Sequence, residues 1–184
     1  MRVFVAIDLP EDVKNKISEF INGFDKNVAD IKFVDPKNLH ITLKFLGEVR
    51  EDSVKQIVNV LSDYVPKSFS YKLHIAGFGF FGSPKFIRAL WLGLKEGKNE
   101  TIQIMKDLNK KLDHIRHEDY DLSPHLTIGR VRNSHDADAL LSQIRKLADV
   151  KIGEIQVDTI KLKKSFLTPE GPMYNDIELF QLGG

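Results

Sequence analysis

Apolar residues along this chain alternate between strand parity and helical spacing, and the alternation runs through twice. Arg2–Asp8 reads as a buried strand. Glu11–Phe24 follows as an amphipathic helix, with Val13, Ile17, Phe20, Ile21 and Phe24 on one face. Glu51–Ser62 places Val54, Ile57, Val58 and Leu61 at helical spacing, and Ser70–Ala76 returns to strand character. The order then repeats. Ile87–Gly93 is a strand, and Asn99–His117 a helix carrying Ile104, Met105, Leu108, Leu112 and Ile115. Asp136–Leu147 is a second helix with Leu140, Leu141, Ile144 and Leu147 inward, for which Ser134 is the expected N-cap. Ile155–Lys161 closes the series as a strand.

Corresponding elements stand 85 residues apart (87 − 2 for the opening strands). The pattern predicts an α+β fold of two duplicated strand–helix–strand–helix–strand lobes, related by a pseudo-twofold axis about a central groove. The segments Ala76–Lys85 and Thr168–Asn175 are expected as loops. With 184 residues and no low-complexity linker, residues 1–184 are expected to form a single bilobal domain. The formal charge of +1 creates no global field for nucleic acid, so any such contact must come from local clusters. The absence of cysteine removes disulfides, thiolate nucleophiles and cysteine-ligated zinc. The apolar start breaks at Asp8 and Pro10, too short for a signal sequence, and no stretch is long enough to span a bilayer. A cytoplasmic monomer is the default expectation.

The third element of each lobe carries the chemistry. His40-Ile41-Thr42 and His125-Leu126-Thr127 repeat a His-x-Thr pattern at the same offset (125 − 40 is 85), each followed by an aliphatic residue. In a strand, His and Thr at i and i+2 share one face, while the aliphatics take the other. Two such strands across a cleft supply two imidazoles, one able to act as base while the other acts as acid, flanked by two hydroxyl donors. That set suits phosphate chemistry. It calls for no cofactor, and two histidines without a third ligand make a poor zinc site.

HITLKFLGEV at 40–49 and SPHLTIGRVR at 123–132 resemble the paired signatures of the 2H phosphoesterase superfamily, and most closely its RNA 2′,3′-cyclic phosphodiesterase (2′-5′ RNA ligase) branch. The resemblance extends to RVFVAIDLP near the start and GFGFFGSPKFIRALWLGL in the middle. It implies hydrolysis of RNA 2′,3′-cyclic phosphate ends, with tRNA-like ends as the expected class, to 2′-phosphomonoesters, and the reverse 2′-5′ ligation. His40 would be the proton donor to O3′ and His125 the proton acceptor from water. Thr42, Thr127 and Arg130 would bind the phosphate. Two competing expectations are a non-catalytic RNA-end-binding module and a phosphodiesterase for a small nucleotide such as ADP-ribose cyclic phosphate.

Strict alternation from His125 puts Arg130 on the wrong face, so it enters the groove only if Gly129 marks a bulge, and is otherwise a surface residue. Lys44 alternates in phase with His40, either lining the groove or lying on the surface. Phe45 falls on the core side. Phe78, Phe80, Phe81 and Trp91 serve either to stack a base or to plug a lobe. Lys161, Lys163 and Lys164, with Lys151, either track an RNA backbone or solvate a strand face. His114 and His117, beside Asp113 and Glu118, are better explained by a helix C-terminal dipole than by a metal. His74 is expected as a partly buried structural residue and His135 as exposed.

Overall fold

A computed structural model describes residues 1–117, 122–169 and 171–184. The elements are β1 (Arg2–Asp8), α1 (Glu11–Asn22), β2 (Ala29–Phe33), β3 (His40–Glu48), α2 (Glu51–Tyr64), β4 (Tyr71–Ser83), β5 (Phe86–Leu94), α3 (Lys98–Lys111), β6 (Leu126–Ser134), α4 (Ala137–Lys146), β7 (Lys151–Val157), β8 (Thr159–Thr168) and β9 (Gly171–Gln181). The strands build two antiparallel sheets, one ordered β3-β1-β8-β9 and the other β2-β6-β5-β4-β7.

The duplication is visible in the pairing. β1 lies between β3 and β8, as β5 lies between β6 and β4. The equivalence interleaves the halves, because β4 from the first half completes the sheet of the second and β8 from the second completes the sheet of the first. Helices exchange as well. α3 packs on β3 and α1 on β7, so each sheet is backed by a helix from the other half. Phe20 of α1 and Phe24 just beyond its end meet Phe78 of β4 edge-on, at centroid distances of 5.1 and 6.0 Å. Neither half could bury its own apolar faces alone, and one continuous core runs through both.

Several expectations are corrected. Ala76–Lys85 is no loop, since β4 continues to Ser83 and pairs with β5. Its glycines are accommodated by left-handed backbone at Gly77 and Gly82 and by register shifts beside them. The predicted strand Ile155–Lys161 is two strands broken at Asp158, and the two belong to different sheets. Thr168–Asn175 is a tight hairpin rather than a loop, with Thr168 Oγ1 donating to the Gly171 carbonyl at 2.8 Å; Glu170 lies outside the described residues. β2 is an addition. Its Ala29, Ile31 and Phe33 alternate with Asp30 and Lys32, but over a stretch too short to stand out as a period.

Two helix ends also move. Asp136, not Ser134, caps α4 by accepting from the Ala139 N–H, because Ser134 is still paired within β6. α3 stops at Lys111, six residues early, and the chain turns so that Arg116 reaches β3. His114 and His117 therefore lie beyond the helix. His117 pairs with Asp113, and Glu118 lies outside the described residues. His74 is half-exposed between Glu96 and Glu154, and His135 is exposed as expected.

Candidate active site

Each motif strand contains a β-bulge, and the bulges decide what faces the groove. In β3, Thr42 pairs with Ala6 and Lys44 with Val5, leaving Leu43 as the extra residue. In β6, Thr127 pairs with Trp91 and Gly129 with Leu90, leaving Ile128 extra. Leu43 and Ile128 are again 85 apart (128 − 43). An extra residue reverses the alternation beyond it. Lys44 therefore turns to the core side, fully buried, where its Nζ donates to the Arg116 carbonyl at 3.0 Å. Phe45 turns to the groove side, its ring flanked by the guanidinium groups of Arg2 at 4.9 Å and Arg116 at 5.2 Å. Both expectations for these residues are reversed by one bulge.

The same device settles the face of Arg130. It pairs with Ala89, whose neighbours Leu90 and Leu92 are fully buried on the opposite face, so Arg130 shares the groove side with Thr127. The bulge sits at Ile128 rather than Gly129. Gly129 instead permits close approach, since a Cβ there would press against Ile31 and Phe33 of β2.

β3 and β6 approach to within 8 Å between Cα atoms, although they belong to different sheets. The two histidines are held alike. His40 Nδ1 lies 2.7 Å from the Asn38 carbonyl, and His125 Nδ1 lies 2.8 Å from the Ser123 carbonyl. A carbonyl only accepts, so Nδ1 carries the proton in both rings and Nε2 is left for other partners. Their surroundings differ. His40 packs against Phe4 at 4.9 Å and edge-on to Tyr174 at 5.2 Å, whereas His125 meets Phe81 at 4.7 Å.

Beneath His40 lies an ion network. Asp8, the cross-strand partner of His40, accepts from Lys163 at 2.9 and 2.8 Å and pairs with Lys161 at 2.9 Å. Asp176 takes the same two lysines at 2.6 Å each. Lys161 and Lys163 are thus consumed by carboxylates, Lys164 stacks on Phe166 at 4.4 Å, and Lys151 belongs to the other sheet; the four do not form one basic track. Burial lowers the pKa of His40, against the Asn38 carbonyl and the Asp8 charge, which raise it; Lys163 adds to the lowering. For Asp8, burial acts to raise the pKa, but the hydrogen bonds and charges of Lys163 and Lys161 outweigh it and hold it below the usual carboxylate value. Burial raises the pKa of Tyr174, opposed by the charges of Arg130 and Arg2, which reach it from opposite sheets.

The structure thus gathers His40, Thr42, His125, Thr127 and Arg130 about one groove. It adds Arg2, Asp8 and Tyr174, to which sequence reasoning assigns no place in the site, and it ties Lys163, expected on an RNA track or a solvated strand face, to Asp8 beneath His40. Strand parity in Arg2–Asp8 is the available signal for Arg2 and Asp8; Tyr174 lies in a segment expected as a loop and gives none. Of the four aromatics in the middle segment, Phe78 and Phe80 plug the core, while Phe81 and Trp91 face outward on the groove side. Among the described residues no three His, Asp or Glu side chains form a metal-binding group, and no helix is long and apolar enough to cross a membrane.

The LigT-like phosphoesterase family matches this chain twice, over residues 7–91 and 92–174, and the two matches begin 85 residues apart (92 − 7). An RNA 2′,3′-cyclic phosphodiesterase of Methanothermobacter thermautotrophicus is 38% identical over 188 aligned positions, covering 99% of both chains. The enzyme of the same name from Methanocaldococcus jannaschii is 39% identical, covering 97% of this chain and 99% of its own. A crystal structure of a Thermus thermophilus protein superposes with a TM-score of 0.85 at 24% identity, covering 100% of this chain and 99% of its own.

Proposed function

The chain belongs to the LigT-like phosphoesterase family, and from that membership we propose that it is an enzyme hydrolysing RNA 2′,3′-cyclic phosphate ends to 2′-phosphomonoesters without a metal. The observation that carries this reading is the matched pair of imidazoles, each with Nδ1 tied to a backbone carbonyl two residues upstream. Fixing Nδ1 directs proton exchange through Nε2 in both rings, which is what in-line displacement at phosphorus asks of an acid and a base.

His125 Nε2 takes a proton from water as its oxygen bonds to phosphorus. The P–O3′ bond breaks, and His40 Nε2 delivers its proton to O3′. Thr42 and Thr127 donate hydroxyl hydrogen bonds to the non-bridging oxygens, and Arg130 adds charge complementary to the phosphorane. His40 must begin as imidazolium, which burial opposes. Asp8 and the negative charge of the bound phosphodiester act in the other direction. The donors are two imidazoles, two hydroxyls and a guanidinium, a set with little affinity for a divalent metal. The whole chain works as one bilobal domain, because the groove takes residues from both sheets and each sheet takes strands from both halves.

The test is turnover of an oligonucleotide ending in a 2′,3′-cyclic phosphate, in the presence of EDTA, with product ends mapped. A 2′-phosphate is expected. Binding without hydrolysis would make the protein an RNA-end-binding module, and a 3′-phosphate product would reverse the leaving oxygen.

A further inference from the structure

The ring of Phe4 joins the His40 side of the groove into one cluster, lying 4.9 Å from His40 and 5.0 Å from Tyr174. Arg2 stands two residues earlier on the same face of β1. Its guanidinium lies 4.9 Å from the ring of Phe45, the cross-strand partner of Phe4, and Arg116 flanks that ring at 5.2 Å. Across the sheet, Arg2 pairs with Ser165 and Ser165 with Tyr174. Directly paired residues share a face, so Arg2 and Tyr174 stand two strand spacings apart, about 10 Å, with a short serine side chain between them. Lys161 and Lys163, further along the same face, are neutralised by Asp8 and Asp176. Arg2 is not. Its other cross-strand partner, Glu48, turns to the N-terminal ammonium at 3.4 Å. Among the described residues no carboxylate pairs with Arg2, and no group hydrogen-bonds to the Tyr174 hydroxyl. The charges of Arg2 and Arg130 both reach that hydroxyl, so an anion held there meets cations from both sheets.

In-line displacement sets O3′ of the cyclic end on the side of the acid. C3′ bears that oxygen and is bonded to C4′, which carries C5′ and the ester linking the terminal nucleotide to the rest of the RNA. That ester therefore leaves from the His40 side of the reacting phosphate. We propose that Arg2, Ser165 and Tyr174 form a second phosphate subsite, holding the phosphodiester on the 5′-oxygen of the cyclic-ended nucleotide. This rests on the assignment of His40 as acid and of the cyclic RNA end as substrate. Arg2 offers paired N–H donors to the two non-bridging oxygens, and the hydroxyls of Ser165 and Tyr174 donate to the same group. The subsite reads a charge one nucleotide upstream of the reacting phosphate and makes no use of base identity. It favours a chain end over a lone nucleoside cyclic phosphate, whatever the sequence.

The experiment compares kcat/KM for a nucleoside 2′,3′-cyclic phosphate, for the dinucleotide ending in it, and for that dinucleotide with a neutral methylphosphonate linkage. Native protein should favour the dinucleotide over the nucleoside by about 5- to 20-fold, between the effect of an exposed ion pair and that of a buried charge-assisted hydrogen bond. The methylphosphonate should lose most of that preference. Arg2→Gln should bring the dinucleotide-to-nucleoside ratio to about one, a readout that damage shared by both substrates does not move. A native ratio near unity would overturn the proposal. Methylphosphonate turnover equal to that of the diester would also overturn it, by showing that the upstream nucleoside rather than its charge is recognised. If Arg2→Gln lowers both substrates alike and keeps the native ratio, Arg2 serves the reacting phosphate or His40, and the subsite is refuted. ADP-ribose cyclic phosphate supplies a diphosphate on the equivalent 5′-oxygen. A preference for it over the dinucleotide, lost in Arg2→Gln, would assign the subsite to a small nucleotide and refute the RNA reading. Failure of native protein to hydrolyse any of these substrates would instead remove the proposed function, and the subsite with it.

Discussion

Replacing Asp8 by asparagine probes both the ion network beneath His40 and the direction of proton flow. Asp8 holds Lys163 through both oxygens, at 2.9 and 2.8 Å, and Lys163 is only 7% exposed. Removing one partner of a fully buried pair costs about 3–5 kcal/mol. Here the Asp8 side chain is 31% exposed, Lys163 keeps Asp176 at 2.6 Å, and the amide retains a carbonyl acceptor. Solvent screening and these surviving bonds reduce the expected loss to about 1–2 kcal/mol at neutral pH. The pKa of Asp8 is lowered by folding, so its contribution is present above the unfolded value, about 3.9, and is lost as pH falls through the folded value. Urea denaturation of Asp8→Asn should therefore show its full deficit near pH 7 and a shrinking one below about pH 4. The same carboxylate raises the pKa of His40, so the substitution lowers that pKa further. If His40 is the acid, activity needs its imidazolium and is lost as pH rises through its pKa. The alkaline limb of kcat/KM against pH should then move to lower pH in the variant. A deficit that stays constant into acid would refute the network as described. Movement of the acid limb instead would make His40 the base.

Three further outcomes follow from the same geometry. His40→Ala and His125→Ala should each lower kcat by about 10²–10⁴-fold, with non-additive losses in the double variant, measured in single-turnover assays against unchanged far-ultraviolet circular dichroism. Lys44→Ala should destabilise the protein by about 2–4 kcal/mol in urea, because it empties a fully buried site and removes a donor from the Arg116 carbonyl. Gly79→Ala should cost about 1–3 kcal/mol by displacing Trp91. Trp91 is the sole tryptophan, so a shift in intrinsic fluorescence reports the displacement directly, and an unchanged emission spectrum would argue against the packed indole.

Much of the element order was legible because apolar periodicity is local. The opening strand is found at Arg2–Asp8 as predicted, and α1 buries Val13, Ile17 and Ile21 as its spacing requires. The misreadings share a cause. Glycines mark Ala76–Lys85 as irregular, yet in β4 they serve cross-strand neighbours, which no local pattern displays. Lys44 is expected in the groove or on the surface and Phe45 in the core, because parity counting assumes an uninterrupted ladder. Ser134 is a good cap by type, but strand pairing to Ala29 claims it first.

The sequence by itself determined that two similar halves exist, that each carries a His-x-Thr strand, and that these histidines and threonines share a face. Spacing and side-chain type contain that information, and the double family match has the same 85-residue period. The tertiary structure alone decided how the halves combine. Burial of each sheet's apolar face requires a strand and a helix from the other half, so the lobes interleave. It also decided what surrounds the histidines. The bulges at Leu43 and Ile128 reverse the strand phase, bringing Phe45 and Arg130 to the groove and sending Lys44 inward. A bulge is a relation between two strands, and a single strand's residue pattern does not record its partner's register.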